Sequence, residues 1–339
     1  MAGVPPGSAD DLEYGSLVVA PGAQLAPEAV DGFDEMALDL HSTEGCGRIH
    51  AALSDFEEGV VGILVPELPF TCPAAPYEAA FLAESFLRRR GIRRNVEIHL
   101  FTPVHAPMPV APAALGDSIA DLLAARGIHW HPLFTFEELR PERREVVSSA
   151  GVHHVDLLMC IPPPSSTRGP PLVPAARALR FVHVDAQTLE TDVEGVYAIG
   201  DVATVKLPNG KALPKAGVFA HVEAKVVARR VAEAAEGKTS DAVFDGHGYC
   251  WIELGDGRAG FAGGDFYAEP EPRITIRRPG RAPHWGRSRS RSGGSITGSS
   301  RESAPQDCGR EVRSASEERG RRPTTVVASA RRRGSNSPP

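Results

Sequence analysis

The sequence predicts an α/β protein: a mostly parallel sheet covered on both faces, with a smaller β-rich piece beyond it. Three observations carry this. Apolar strand-length runs alternate with helical patterns between Val60 and Pro132, as parallel strands joined by crossovers require. The run Leu189–Asp201 ends an apolar strand, Val196–Ile199, in Gly200-Asp201. That places a carboxylate at the C-terminal edge, where open α/β sheets bind ligands. From Asp241 onward, short strands separated by glycine turns replace the alternation.

Taken in order, the Pro/Gly-rich opening to about Asp11 reads as loose, and Ser16–Ala20 as a buried strand stopped by Pro21-Gly22. Residues 31–54 read as a connector, partly helical around Glu35–Leu40. Val60–Val65 is the next strand and Pro76–Arg90 a helix, with proline tolerated in its first turn and Gly91 ending it. Val96–Phe101, a helix over Ala113–Ala125 and a strand over Ile128–Pro132 continue the alternation. Short strands are expected around Val146-Val147 and over Val155–Cys160. After the Pro-rich loop Ile161–Pro174 come Phe181–Val184, the Gly-Asp strand, and a helix with apolar positions Val218, Val222, Val226 and Val227. The last strands are Tyr249–Leu254, Arg258–Ala262 and Arg273–Ile276. Beyond Trp285 periodicity vanishes into Arg-Ser-Gly low complexity, which buries too little apolar area to offset its ordering entropy.

At 339 residues with 42% apolar composition, the chain holds about two ordinary domains with real cores. Charge is uneven: the net value is −6, yet from Arg281 onward there are many arginines and no lysine. No apolar run approaches a membrane span, and the first residues lack a signal-peptide pattern. The five cysteines, Cys46, Cys72, Cys160, Cys250 and Cys308, are scattered without metal-ligand spacing, an odd number that favours a reducing cytoplasm. The arginine tail offers phosphate-neutralising charge but almost no aromatic stacking platform, so nucleic acid is not an expected partner.

Individual residues sharpen the site. Gly200 lets the backbone approach a bulky ligand, and the Asp201 carboxylate accepts a hydrogen bond from a sugar-like hydroxyl. Lys215, Ala216 and Gly217 lie where a loop enters a helix, combining a full positive charge with free N–H donors. Cys72 sits in a Thr-Cys-Pro turn ahead of a helix, where the dipole lowers a thiol pKa; inert burial is the competing reading. Cys160 reads as a small apolar core residue. Glu78 complements its helix dipole, and Tyr77 and His221 read as ordinary packing beside the site. His129 and His131 share a strand face and adjoin His153-His154 in count, but no third ligand has suggestive spacing, so no metal is expected.

Several islands resemble, in order, the sulfide:quinone oxidoreductases within the FAD-dependent pyridine nucleotide-disulfide oxidoreductase superfamily. Tyr14-Gly-Ser-Leu-Val-Val-Ala-Pro-Gly-Ala resembles the Tyr-Asp-x-Leu-Val-Val-Ala-Thr-Gly segment of a flavin domain. Phe70-Thr-Cys-Pro-Ala-Ala-Pro-Tyr-Glu resembles the family's cysteine-containing turn and helix start. Val196–Asp201 with Leu213-Pro-Lys-Ala-Gly-Val resembles its flavin and isoalloxazine-end motifs. Gly248-Tyr-Cys-Trp-Ile-Glu and Phe266-Tyr resemble its small C-terminal sheet, so the likeness runs from Tyr14 to Trp285.

The resemblance implies two Rossmann-like dinucleotide-binding-type domains, the first incomplete, plus the small β-rich segment and a disordered tail. Residues 1–55 would be a remnant of the FAD domain with a connector, 56–165 an inserted NAD(P)-type domain and 166–240 the returning FAD segment. Residues 241–285 would form the small sheet and 286–339 the tail. It also implies electron transfer from a sulfur or other reduced substrate through FAD to a quinone or another small-molecule acceptor. Asp201 would hold the ribityl chain with Gly200 beside it. Lys215, Ala216 and Gly217 would tune the ring, and Cys72 would face the substrate. Lys215→Ala is expected to leave the fold intact and lower the flavin potential.

The departures are equally informative. No Gly-x-Gly-x-x-Gly precedes Tyr14, so the turn that lays the FAD pyrophosphate on helix N-terminal N–H groups is missing, and FAD binding is expected to be weak or lost. The family's membrane-anchoring C-terminal segment is replaced by the arginine tail, of the kind a frameshift in a GC-rich gene produces. The chain thus reads as truncated at its N-terminus and divergent at its C-terminus. No cysteine lies shortly after Gly200-Asp201 or in the loop that follows to relay sulfur by thiol–disulfide exchange; Cys46 is a weak match to the family's earlier cysteine. Pro66–Pro76 stands where a nicotinamide-binding domain has its glycine turn, and proline offers phosphate no N–H. The alternatives are an NAD(P)H-linked flavin reductase and an inactive fragment or scaffold, so enzyme status is open. A cytoplasmic location is expected, peripheral to the inner membrane face in a full-length relative, and a homodimer is admitted.

Overall fold

The computed structural model describes residues 14–165 and 181–281, and the backbone of residues 326–329. The loose opening expected to Asp11, most of the Pro-rich loop, Trp285 and the tail apart from four residues lie outside the described residues.

The chain enters through β1 (Ser16–Val19) and the two-residue β2 (Gln24–Leu25). The segment expected to be a connector is ordered into α1 (Phe33–Met36), β3 (Ala37–Asp39) and α2 (Thr43–Asp55). Ser42 caps α2 by accepting a hydrogen bond from the Gly45 N–H at 2.9 Å. Then follow β4 (Gly59–Leu64), α3 (Ala75–Arg89), β5 (Val96–Phe101), α4 (Ala113–Ala125) and β6 (Ile128–His131), close to the bounds the hydrophobic pattern predicts. A meander of β7 (Phe136–Arg140), β8 (Glu145–Ser148) and β9 (Gly151–His154) leads into β10 (Leu157–Cys160) and β11 (Pro164–Ser165).

Strands β3, β10, β4, β5 and β6 form one parallel sheet in that spatial order. Helices α2, α3 and α4 cover one face, where Ile49, Leu53, Tyr77, Phe81, Leu87 and Leu123 pack against Val61, Ile63, Ile98 and Leu100. The other face is covered by the meander: Phe134, Leu139 and Val146 pack with Phe33 on Leu64, Phe101, Leu158 and Cys160. The sheet is therefore covered on both faces as expected, but one cover is antiparallel β. Because β3 pairs with β10 and α2 joins the core, this unit starts near residue 37, within the stretch expected to be FAD-domain remnant and connector.

The returning segment contains β12 (Val182–Val184), β13 (Val196–Ala198), β14 (Ala203–Val205) and α5 (Gly217–Ala235). Strand β13 pairs in parallel with β1, so two pieces far apart in sequence rebuild part of a second sheet. The antiparallel sheet β15 (His247–Glu253), β16 (Ala259–Asp265) and β17 (Arg273–Gly280) follows. It docks on α3, where Glu78 Oε1 accepts the Glu253 N–H at 2.7 Å, and on α5. A Cβ on Gly248 would lie 2.1 Å from the Phe219 ring, so glycine is what lets α5 lie against β15. Within the segment expected to be disordered, β18 (Val326–Ser329) pairs antiparallel with β1. Its Val-Val run is the most β-prone in that arginine-rich stretch, and β1 offers an open edge. No helix among the described residues is long and apolar enough to cross a membrane.

Candidate functional site

The Gly-Asp turn sits at the C-terminal end of the β1–β13 pair. Gly200 has φ of 72°, a left-handed conformation that favours glycine, and opens a short 3-10 turn over Gly200–Val202. Its N–H donates to Glu223 Oε2 on α5 at 2.7 Å. Lys215 Nζ donates to the carbonyl oxygens of Asp201 (2.7 Å) and Ala203 (2.9 Å), and lies 3.8 Å from the Phe181 ring centroid. Ala216 is the N-cap of α5 and Gly217 its first residue; no side chain caps this helix and no acid occupies its first turn. Gly200, Asp201, Lys215, Ala216 and Glu223 line one small recess. Gly217 adjoins it through the chain.

Cys72 lies in the loop between β4 and α3 with φ of 55°. Its N–H donates to the Lys215 carbonyl at 3.0 Å, so the thiol turn is fastened directly to the ring-end motif. The side chain is solvent-exposed, so inert burial does not apply to it. Next to it, Thr71 Oγ1 and His41 Nδ1 are 3.0 Å apart, while the His41 N–H donates to Asp39 Oδ1 at 2.7 Å. His41 Nε2 is buried and finds no partner among the described residues.

Burial dominates the electrostatics. It raises the Asp201 carboxyl above its ordinary pKa despite the attraction of Lys215 and His41. It raises Glu223 as well, opposed by the Gly200 N–H and Lys215, while Asp201 adds repulsion. Burial lowers the Lys215 ammonium against the pull of Asp201 and Glu223, and lowers His41 against Asp39 and Asp201. Asp201, Lys215 and Glu223 thus share a poorly hydrated recess, and His41 is coupled electrostatically to Asp201 from outside its lining.

On the far side of Lys215 opens an apolar cavity of about 170 Å³. Phe70 and Pro73 bring the Cys72 loop to its wall, Met108 and Leu115 the approach to α4, and Ala262 and Ile274 the small sheet. Cys250 also lines it.

All five sequence-predicted cofactor residues and Cys72 therefore meet through Lys215. Sequence reading missed His41 and Glu223. Glu223 carried a local signal, an acid on the otherwise apolar face of α5 four residues after Phe219 and three before Val226, while His41 carried none. Cys46 lies on α2, exposed, with Sγ 3.4 Å from the Leu40 carbonyl oxygen. None of Cys46, Cys72, Cys160 and Cys250 forms a disulfide, and Cys160 is fully buried in the core with its thiol pKa pushed up. Tyr77 is fully buried in the helix-side core and His221 is exposed on α5, so neither touches the recess. His131 does acquire neighbours that spacing did not reveal, His99 on β5 and His153 on β9.

No protein-family model matches the chain. Among curated proteins it is 26% identical over 276 residues to the mitochondrial sulfide:quinone oxidoreductase of Mus musculus, covering 78% of this chain and 60% of that one. The Dictyostelium discoideum mitochondrial sulfide:quinone oxidoreductase is 27% identical over 215 residues, covering 59% and 46%. The chain thus spans about half to three fifths of the length of these relatives. Among solved structures, the sulfide:quinone oxidoreductase of Aquifex aeolicus superposes with a TM-score of 0.68 at 22% identity, covering 82% of this chain and 67% of that one. An NAD-dependent persulfide reductase from A. fulgidus gives 0.50 at 18% identity, covering 75% and 45%. By sequence the chain is similar to sulfide:quinone oxidoreductases, and it shares the fold of the Aquifex aeolicus enzyme.

Proposed function

We propose that this chain carries the ring end of an FAD-dependent oxidoreductase that takes electrons from a reduced sulfur compound and delivers them to a quinone. The observation that carries the reading is the threefold role of Lys215. Its carbonyl holds the Cys72 turn, its ammonium holds the Asp201 turn, and its flank closes the apolar cavity.

The residues fit the ring and ribityl part of FAD. The recess places the Asp201 carboxylate beside the uncapped N-terminus of α5, and His41, coupled electrostatically to Asp201, has a buried ring nitrogen with no partner among the described residues. The Gly-x-Gly-x-x-Gly that the sequence holds, residues 255–260, turns between the antiparallel strands β15 and β16 and opens no helix that could cradle the pyrophosphate, so the fit covers one end of the cofactor. When bound, FAD supplies two-electron exchange between a donor and an acceptor.

The chain's own contribution follows from its geometry. Asp201 accepts a hydrogen bond from a ribityl hydroxyl. The α5 N-terminus and Lys215 present positive potential where a reduced ring is anionic. Cys72, exposed beside this cluster, presents a thiol to a sulfur substrate. The apolar cavity excludes water and suits a quinone ring, whose source in a bilayer asks for peripheral contact with a lipid surface. Pro66, Pro69 and Pro73 between β4 and α3 withhold N–H donors from a nicotinamide dinucleotide, so NAD(P)H is not the favoured donor.

The test is a fluorescence titration of the chain with FAD and with riboflavin 5′-phosphate. Both are expected to bind with similar affinity, because only the shared ring and ribityl end is gripped, and Asp201→Ala is expected to abolish both. Absence of saturable binding by either would overturn the proposal and leave an inactive scaffold as the better reading.

A further inference from the structure

Four histidines that the flavin-site argument leaves unused converge on the meander side of the parallel sheet. His99 stands on β5 in register with His129 on β6, and His131 stands in register with Phe101. His153 comes from β9, paired with Val146 in the meander. His99 Nδ1 and His131 Nε2 are 3.0 Å apart, and the two rings stack with centroids 5.2 Å apart and planes 13° apart. The His153 ring stands edge-on to His131 with centroids 4.9 Å apart. One nitrogen from each of His99, His131 and His153 lies within 4.8 Å of the others.

We propose that His99, His131 and His153 form a binding site for a divalent transition metal, Zn²⁺ first among them. A tetrahedral zinc with Zn–N bonds of about 2.0–2.1 Å holds its nitrogens roughly 3.3 Å apart. The His99–His131 pair already has nearly this spacing, and His153 reaches it by a side-chain rotation on a half-exposed strand. Three imidazoles without a carboxylate among them select zinc, copper or nickel over calcium and magnesium.

The surroundings are those of a ligand set. Glu97 Oε2 lies 3.2 Å from His99 Nε2, the ring nitrogen turned away from His131, which is how a carboxylate orients a metal-bound imidazole. Phe101 lies 4.7 Å from the His131 ring and 5.0 Å from that of His153, and Phe134 lies 5.7 Å from His153. These aromatics wall the site from behind and limit where the rings swing. A hydrogen bond between two imidazoles accounts for the His99–His131 contact alone, but not for a third ring and a carboxylate on the outer nitrogen. Three protein ligands leave the fourth tetrahedral position to water or a small exogenous ligand. The ion would join β9 of the meander to β5 and β6 of the sheet.

The full chain, stripped with a chelator, would be titrated with Co²⁺ and then Zn²⁺. The expected result is one equivalent of Co²⁺ with the intense visible bands of a tetrahedral site, no thiolate charge-transfer band, displacement by Zn²⁺, and a higher Tm with Zn²⁺. His131→Ala and His153→Ala should abolish the bands, Glu97→Gln should weaken affinity about tenfold, and His129→Ala should change nothing. Circular dichroism without metal checks folding; if His131→Ala fails it, His153→Gln on the exposed strand carries the test. Absence of saturable cobalt bands overturns the site. A thiolate band overturns it in favour of the exposed cysteines. Loss on His129→Ala with retention in His153→Ala overturns it in favour of the neighbouring trio Glu97, His99 and His129.

Discussion

Asp201 is held at odds with its own charge. Burial outweighs its neighbours, so the folded chain keeps its proton more tightly than the unfolded one does. A carboxyl raised in this way contributes stability that is fully present below its ordinary value of 3.8 and is lost as pH rises through the raised value. Asp201→Asn keeps the backbone carbonyl that accepts from Lys215 and removes the buried charge. It should therefore raise Tm at neutral pH, lose that advantage in acid, and weaken flavin binding, the trade expected where a site is built for a ligand. Thermal melts of both proteins across acid and neutral pH check this; a lower Tm for the variant at neutral pH would refute it. For Lys215 the two hydrogen bonds of its ammonium argue for a larger effect on stability than the sequence expectation. Because its ammonium spans two carbonyls, Lys215→Ala should cost about 1.5–3 kcal/mol in urea unfolding instead of leaving the fold undisturbed. The Gly-Asp and Lys-Ala-Gly motifs were legible because each is a contiguous strand end or helix start. Glu223 reaches the recess from α5 and His41 is coupled to Asp201 from just beyond β3, placements that depend on packing no local pattern records.

At the scale of elements, legibility followed intrinsic preference. Helices α3 and α4 and strands β4 and β5 have clean apolar periods and were found nearly to the residue. Helix α2 contains Gly45 and Gly47, each costing about 1 kcal/mol in a helix interior, so its sequence argued for a connector. Gly45 is nevertheless required, since a Cβ there would lie 2.0 Å from the Asp39 carbonyl oxygen at the β3–α2 turn. Strands β7 and β9 are largely exposed and polar, and without an apolar alternation they gave no signal. The docking of the small sheet also rests on an element-level device. Buried Glu84 on α3 pairs with Arg88 Nε at 3.0 Å and with an Arg126 nitrogen at 3.3 Å. Arg126 in turn donates to the Leu254 carbonyl, and Arg88 and Ser85 hold Asp256 in the turn between β15 and β16. Glu84→Ala would leave the half-buried Arg126 without its carboxylate and should cost about 3 kcal/mol in denaturant unfolding. A loss below about 1 kcal/mol would mean that the network contributes no more than a surface pair does.

The separate parts of the described chain meet at an apolar cavity. Its wall takes Phe70 from the parallel-sheet unit, Leu115 from α4, Lys215 from the segment that returns to β1, and Ala262 and Ile274 from the small sheet. No element lines it alone, which explains why no stretch of sequence announced it. A void of about 170 Å³ with apolar walls loses packing contacts and persists only if the surrounding parts cannot collapse into it. An apolar ligand restores those contacts and couples the parts, so binding should appear as stability of the whole chain. A soluble short-tail quinone is therefore expected to raise Tm in a concentration-dependent way. Ala111, partly buried on the rim, offers a control: Ala111→Trp should fill the cavity, leave the ligand-free Tm near that of the parent, and remove the quinone-induced shift. The flavin titration should be unaffected by the same change, because Ala111 does not line the recess around Asp201. An undiminished quinone shift in Ala111→Trp would mean that the ligand sits elsewhere and that this cavity is only a packing defect between joined parts. Loss of both responses would mean instead that the cavity and the recess are one continuous site, with Lys215 as its floor and not as the partition the geometry describes.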